Sequence, residues 1–374
     1  MSSRKSDHPR NLLKLDFGRV DSMDISIVIP TRNRSALLRR MLESLAMIPS
    51  SEAVEILVID NGSTDKTAGV VQEIRQTFTR HNWRYFYEEA PGLLAARHRG
   101  YQESSGNILA YLDDDVLVAA DWLNGLKDAF SDQIVALVGG PSRPRYENDP
   151  PAWLDTLWRK LDGGRSLDWL SLIDLGSDIK SIDPRFVLGL NYSIRRSVLQ
   201  ECGGFNPDYL PKVLQRYQGD GETGLSRKLD ARGFQAIYHP DVSVTHVIPT
   251  GRLAPKSLEQ RAFFQGICDS YTRIRSEGAM PAASGRSWTD SFRHLERSLY
   301  RAAFSMRCEA MAIRELIGNA HTMGMAFHQN EVRNDPTLLE WVLRPDYLDF
   351  ELPKGWQQYA NLPKPGWEAP HAVE

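Results

Sequence analysis

At 374 residues and 41% hydrophobic content, the chain is long enough to bury a full core, as one large domain with an appendage or as two domains. A formal net charge of -3 leaves no surplus of positive charge for gripping nucleic acid, which is excluded as a partner. Cys202, Cys268 and Cys308 are odd in number and far apart, which matches neither a disulfide framework nor the paired spacing of a zinc site. A reducing compartment is expected. The first twenty residues lack the apolar core of a secretory signal, and no later segment approaches the roughly 18 apolar residues needed to span a bilayer. The expected location is the cytoplasm, with peripheral contact at the inner face of the cell membrane left open.

From Ile25 short apolar runs alternate with helical patterns, the signature of parallel strands joined by crossover helices. ISIVI (25–29) reads as a buried strand, and SALLRRMLESLA (35–46) follows with apolar residues at helical spacing and Ser35 as N-cap. VEILVID (54–60) is the second strand, and NGSTDKT supplies turn chemistry before a helix over 68–78. A weaker strand over 85–89, a helix over 93–104 and a fourth strand over 107–112 complete the run. Residues 1–24 precede this pattern as an N-terminal arm.

The fourth strand exits into three consecutive aspartates, Asp113, Asp114 and Asp115. In an open α/β sheet, ligands bind beyond the carboxyl ends of the strands, near the point where strand order reverses. Adjacent carboxylates repel, so a neighbouring positive charge is required. Strand alternation would put Asp113 and Asp115 on one side and Asp114 on the other. Two hard oxygen donors on one side suit Mg2+ or Mn2+, which would take its remaining ligands from water and a diphosphate. The competing reading is a solvated acidic turn.

The other strand ends carry further motifs: PTRNR (30–34), DNGSTD (60–65), PGLLAARHRG (91–100) and YLDDDVLVAADWL (111–123). With GLNYSIRRSVLQECGGF (189–205), GDGETGLSRKLDARGF (219–234) and HPDVSVTH (239–246), in this order, the chain resembles the family 2 glycosyltransferases over roughly residues 25–250. The resemblance implies a GT-A (Rossmann-like) α/β fold with a mixed, mostly parallel sheet flanked by helices. It also implies an inverting transferase that uses a nucleoside-diphosphate sugar, a UDP-sugar being favoured, and a divalent metal. By the same resemblance, Pro30, Thr31 and Arg32 line the base and ribose pocket, and Asp60 contacts the nucleobase. Arg97 lies near the nucleotide, Asp113 reaches the ribose or the metal's surroundings, and Asp115 ligates the metal with His246 as a further ligand or diphosphate contact. Arg34 and Asp114 join this donor-binding set, and Asn191 faces the acceptor or donor sugar. His98 stands where the family usually has asparagine.

Inverting transfer needs a base for the acceptor hydroxyl. Aligned on Leu225, the family's acidic pair falls on Gly221 and Glu222, so Glu222 is the expected base and Asp220 the alternate. Both stand at the start of a predicted helix, whose dipole favours carboxylates in any case. The same stretch, G-D-G-E-T-G, formally fits a dinucleotide fingerprint with Asp241 downstream, but LPKVLQRYQ reads poorly as the strand that fingerprint requires. The rivals to a transferase are a sugar-1-phosphate nucleotidyltransferase, whose glycine-rich loop is absent after the first strand, and a nucleotide-sugar-binding protein without catalysis. Acceptors in view are a glycan, a lipid-linked sugar or a small molecule, in cell-surface polysaccharide or glycoconjugate synthesis.

The expected catalytic domain spans 25–254, divided into a nucleotide-binding half (25–140) and an acceptor-binding half (141–254). Residues 141–186 break the alternation with prolines, glycines and polar clusters and read as an insertion shaping the acceptor pocket, its Trp153, Trp158 and Trp169 either stacking on sugars or anchoring the segment. Thr250, Arg252 and Lys256 lie in a loop whose cations could close over a departing diphosphate or simply be solvated. Beyond about 255 the pattern turns helical. Phe264, Ile267, Tyr271 and Ile274 form one stripe; Phe292, Leu295, Leu299, Ala302, Met306, Ala310, Ile313 and Ile317 form another. This extension (255–345) must pack on the catalytic domain, a second copy of the chain as a homodimer, or a membrane surface, for which Arg293, Arg297 and Arg301 offer a basic face. Residues 346–374 read as an irregular arm.

Overall fold

The computed structural model describes residues 23–49, 54–279, 309–353 and Trp356. The second stripe's Phe292, Leu295, Leu299, Ala302 and Met306, the basic face of Arg293, Arg297 and Arg301, Cys308, and most of both terminal arms lie outside the described residues.

The chain opens with β1 (Ile25–Thr31), α1 (Ser35–Ala46), β2 (Val54–Asp60), α2 (Thr67–Thr77), β3 (Asn82–Tyr87), α3 (Leu93–Glu103) and β4 (Ile108–Leu112). Every residue of β1, β2 and β4 is buried, as expected of central parallel strands covered on both faces. One expectation fails locally. Ser35 is the first residue of α1 rather than its cap, and its N–H is taken by Asp65 Oδ2 from the following loop at 2.9 Å. The same Asp65 accepts the Thr67 N–H at 3.0 Å through its other oxygen, so one carboxylate serves the N-termini of both α1 and α2.

After β4 come β5 (Val116–Val118), α4 (Trp122–Ser131), β6 (Val135–Gly139), β7 (Ser142–Tyr146), β8 (Arg159–Leu161), β9 (Gly164–Leu167), β10 (Leu172–Asp174) and β11 (Lys180–Ile182). Then follow β12 (Asn191–Arg195), α5 (Arg196–Glu201), α6 (Gly221–Ala231), β13 (Gln235–Tyr238), β14 (Val244–Ile248), α7 (Pro255–Glu277), α8 (Glu309–Asn334) and α9 (Pro336–Leu343). The main sheet has eight strands in the order β11-β13-β6-β12-β4-β1-β2-β3. It is mixed and mostly parallel: β1 pairs in parallel with β2 and β4, while β12 enters antiparallel to both β4 and β6. The break in strand direction therefore falls beside β4, whose exit carries the aspartates.

Residues 141–186 are not an irregular insertion throughout. They supply β7 to β10 of a second six-stranded sheet, β5-β14-β7-β10-β9-β8, and β11 at the edge of the first. These strands are three to five residues long, too short for period-two alternation to stand out. Trp153 is buried, and Trp158 and Trp169 pack around it against Leu258, Ala262, Ile313 and Ile317.

Helices cover both faces of the main sheet. The stripe Leu38, Met41, Leu42 and Leu45 of α1 packs with α2 and α4 on one face, and α3, α5 and α6 cover the other. The described residues of the C-terminal stripes pack within the chain. Helix α7 crosses α8 so closely that a Cβ on Gly266 would lie 2.0 Å from the His321 carbonyl oxygen, and one on Gly324 would lie 1.9 Å from that of Phe263. Ile274 and Tyr271 of α7 meet Val332, Leu338 and Val342. The chain then returns over α3 and the turn after α5, where the Tyr347 N–H reaches the Gly203 carbonyl at 3.0 Å and Phe350 meets the His98 ring edge-on. Among the described residues no helix is long and apolar enough to cross a membrane.

Candidate active site

The three aspartates occupy a turn between β4 and β5, not a continued strand, so strand alternation does not apply to them. Asp113, Asp114 and Asp115 all face one cavity of about 270 Å3, shared with Pro30, Thr31, Arg32, Arg34, Asn61, Tyr209 and Arg252. The reason is pairing. Leu112 is the last residue in register with β12, at Asn191, and the chain then turns out of the main sheet to pair β5 with β14 in the second.

The positive charge expected beside the aspartates is present as arginine. Arg34 Nη1 donates to Asp114 Oδ1 at 2.9 Å and to Asp115 Oδ2 at 3.1 Å, and Thr31 Oγ1 donates to Asp114 Oδ2 at 2.7 Å. Arg252, which follows β14, places one Nη1 at 2.9 Å from both Asp115 Oδ2 and His246 Nε2. Burial raises Asp114 to about 6 against the pull of Arg34, and burial together with neighbouring Asp115 raises Asp113. Asp115 is buried too, yet with the cationic Arg252 and Arg34 beside it the carboxylate is held well below its usual range.

His246 comes to this cluster through the β14–β5 register, which sets it opposite Val116, next to Asp115. Its Nδ1 lies 2.9 Å from the Leu170 carbonyl oxygen, which can only accept, so the proton sits on Nδ1 and Nε2 offers a lone pair. That Nε2 is 3.5 Å from Asp115 Oδ1, a buried oxygen with no hydrogen-bond donor.

Three other predicted site residues have their polar atoms engaged by protein groups. Asp60 accepts from the Ser63 N–H and from the Tyr85 hydroxyl, each at 2.7 Å, and it is Asn61 that lines the cavity. Asn191 accepts from Trp122 Nε1 at 3.0 Å and donates to the Val242 carbonyl at 2.8 Å. Asp220, just before α6, accepts from Asn206 Nδ2 at 2.7 Å and from Thr272 Oγ1 of α7 at 2.6 Å. Both its oxygens are thus spent on holding α6 and α7 in place. His98 accepts the Phe205 N–H at 3.1 Å, and burial lowers it to about 3, so it stands neutral in the core.

Glu222 differs from Asp220. It lies in the first turn of α6 with 31% of its side chain exposed, and Oε2 accepts from Arg97 Nη1 at 3.2 Å. Arg97 is 2% exposed; the same Nη1 also reaches Asp208 Oδ2 at 3.0 Å, and its guanidinium lies 4.8 Å from the centre of the Phe205 ring. The segment immediately upstream of G-D-G-E-T-G is not a strand: 212–217 is a 3-10 turn, which removes the dinucleotide reading.

Sequence reasoning passed over Asp208, Asn61 and Tyr209. Tyr209 is a non-glycine residue with φ +46, 59% exposed and lining the cavity. Asn61 stood inside a quoted motif, but Asp208 and Tyr209 lie in a loop without periodicity, and only folding brings that loop against α3.

The glycosyl transferase family 2 profile matches residues 26–203. Among curated proteins, the glycosyltransferase AglE of Haloferax volcanii is 27% identical over 236 residues, covering 62% of this chain and 70% of that protein. The validoxylamine A glucosyltransferase of Streptomyces hygroscopicus subsp. jinggangensis is 37% identical over 105 residues, but the match spans only 24% of its length. The succinoglycan biosynthesis protein ExoM of Rhizobium meliloti is 28% identical, covering 69% of this chain and 77% of that protein. Among solved structures, the mannosyltransferase PcManGT of Pyrobaculum calidifontis, in complex with GDP-Man and Mn2+, aligns with a TM-score of 0.48 at 19% identity, covering 85% of this chain and 84% of that one. The profile match, on the α/β fold and the cavity described above, makes residues 26–203 a glycosyl transferase family 2 domain and the protein a transferase enzyme.

Proposed function

We propose that the protein transfers a sugar, with inversion, from a nucleoside-diphosphate sugar to an acceptor hydroxyl, with a divalent cation assisting, in cell-surface polysaccharide or glycoconjugate synthesis. A UDP-sugar is the favoured donor. The observation that carries the reading is an acidic, arginine-lined cavity together with a partly exposed carboxylate, Glu222, that is held by a buried arginine and whose charge reaches Asp113 of that cavity.

The donor's diphosphate belongs in that cavity, where Arg34, Arg32 and Arg252 supply the positive charge that a departing nucleoside diphosphate requires. Glu222 accepts the proton of the acceptor hydroxyl. The hydroxyl oxygen then bonds to the anomeric carbon from the face opposite the diphosphate, and the carbon–oxygen bond to the diphosphate breaks. Asp220, with both oxygens already bonded, is unsuited to that role.

The residues present fit a divalent cation with few protein ligands. Among the described residues no three His, Cys, Asp or Glu side chains gather as a metal site. What favours a cation is the orphaned Asp115 Oδ1, the lone pair of His246 Nε2, and the Arg252 nitrogen standing between these two side chains as a cationic stand-in. Asp115 and His246 would hold the ion, with Asp113 beside them; bound there, it would neutralise charge on the diphosphate.

The test is a donor panel of UDP-, GDP-, dTDP- and CMP-sugars, screened by thermal shift with Mn2+ and then by nucleotide release with and without EDTA. The expected result is a UDP-sugar that stabilises the protein only with metal, and release that EDTA abolishes. Full release in EDTA removes the metal from the reading. A product glycoside that retains the donor's anomeric configuration removes inversion.

A further inference from the structure

Arg97 serves two carboxylates through a single nitrogen. Nη1 stands 3.0 Å from Asp208 Oδ2 and 3.2 Å from Glu222 Oε2, while Nη2 reaches only the Gly189 carbonyl oxygen, at 3.4 Å. Stacked on Phe205 and 2% exposed, the guanidinium has little room to follow Glu222 if that side chain moves. Asp208 is buried beneath the start of α6. The space for it is kept by Gly221, whose φ is +50 and where an added Cβ would lie 2.7 Å from Asp208 Oδ2. The other Asp208 oxygen is buried with no hydrogen-bond donor. A carboxylate this buried, with Arg97 and the Leu94 backbone N–H beside it and one oxygen unsatisfied, still costs stability; such features concentrate where function requires them.

We infer that Asp208 is a positioning residue for the transfer reaction: by fixing Arg97 from its far side, it holds Glu222 in the orientation that receives the acceptor's proton. This rests on reading Glu222 as the base. Asp208 touches no reacting atom in this scheme and acts only through Arg97. With the Asp208 charge removed, Arg97 Nη1 faces one carboxylate alone and draws Glu222 inward, away from the hydroxyl.

A double-mutant cycle tests this, with release of UDP from UDP-glucose or of GDP from GDP-mannose, whichever is faster, as the assay. Asp208→Asn is expected to lower kcat by about 30- to 100-fold at unchanged donor KM, and to keep the thermal shift given by UDP with Mn2+. In a Glu222→Gln background, adding Asp208→Asn is expected to change the residual rate less than about twofold, since a residue that acts only through Glu222 has nothing left to position. Arg97→Lys, which keeps the charge but loses the planar fork, serves as the second variant if Asp208→Asn does not fold, with the same two expectations. A kcat for Asp208→Asn within about twofold of the unchanged protein, or a full additive loss in the Glu222→Gln background, overturns the inference. Normal turnover by Glu222→Gln alone instead overturns the reading of the base, and the inference with it.

Discussion

Arg252 Nη1 lies 2.9 Å from Asp115 Oδ2 and, at the same distance, from His246 Nε2. The two side chains proposed to hold a divalent cation are thus bridged by a guanidinium, and metal and arginine compete for one place. The ion would need the His246 Nε2 lone pair that Arg252 already occupies, so it can enter only as Arg252 leaves. Arg252→Ala is therefore expected to bind Mn2+ about tenfold more tightly in the absence of nucleotide, and UDP more weakly in the presence of Mn2+, because the freed arginine no longer meets the diphosphate. Electron paramagnetic resonance titration of free Mn2+ reads the first effect and calorimetry the second. An unchanged Mn2+ affinity would mean that Arg252 does not guard the site.

Glu222 is a partly exposed carboxylate whose charge reaches Asp113 of the cavity, whereas Asp220 is enclosed by Asn206 and Thr272. Removing a general base costs about 10²- to 10⁴-fold in rate. Glu222→Gln is expected to lose that much kcat while keeping its thermal shift with UDP and Mn2+. Asp220→Asn is expected to act through stability, lowering the melting temperature by several degrees through its lost bond to α7. If Asp220→Asn melts normally and abolishes turnover, the two roles are exchanged.

Asp208 sets a pH dependence of stability. Burial raises its carboxyl to about 7, opposed by Arg97 and reinforced by Glu222 and Asp113, with the Leu94 backbone also donating to it. Between the ordinary carboxylate range and about 7 the folded chain therefore holds a proton that the unfolded chain has released. Stability follows the protons bound when unfolded minus those bound when folded, so this group's contribution falls as pH rises through that window. Asp208→Asn removes the dependence. Denaturant unfolding of both proteins from pH 4 to pH 8 should show the variant gaining on the parent as pH rises, by a few kcal/mol at most across the window. A constant difference across the range would place the Asp208 carboxyl near its ordinary value.

The crossing of α7 and α8 rests on two glycines. A Cβ at Gly266 would stand 2.0 Å from the His321 carbonyl oxygen, and backbone cannot yield as a flexible side chain can. Gly266→Val is expected to destabilise by about 3 kcal/mol or more, through overpacking that separates the helices. Gly318, on the same α8, has nothing within 4 Å of its Cβ position. Gly318→Ala should be neutral or stabilising by up to about 1 kcal/mol, through helix propensity alone. Equal melting temperatures for the two variants would show that the close crossing is absent in solution.

The alternating half of the chain was legible because its signals are local and repeated. Continuous apolar runs of five to seven residues are strands buried on both faces, and the α1 stripe is a helix packed on one side. Element bounds through β4 differ from those expected by no more than about three residues. The Ser35 cap was misread because the group that caps α1, Asp65, arrives from thirty residues away. The short strands of 159–182 were missed for the same reason: a three-residue strand exists only because a partner lies beside it.

Sequence alone determined which residue types stand at the strand ends, and so the family and the acidic, arginine-bearing edge where a ligand belongs. It could not determine how those charges pair. That Asp115 meets Arg34, Arg252 and His246, that Asp60, Asn191 and Asp220 are engaged by protein partners, and that Asp208 stands behind Arg97 are decided by strand register, by the antiparallel entry of β12, and by α7 packing against α6. Charge pairing depends on distances of about 3 Å between groups far apart along the chain, and only closing the core sets such distances.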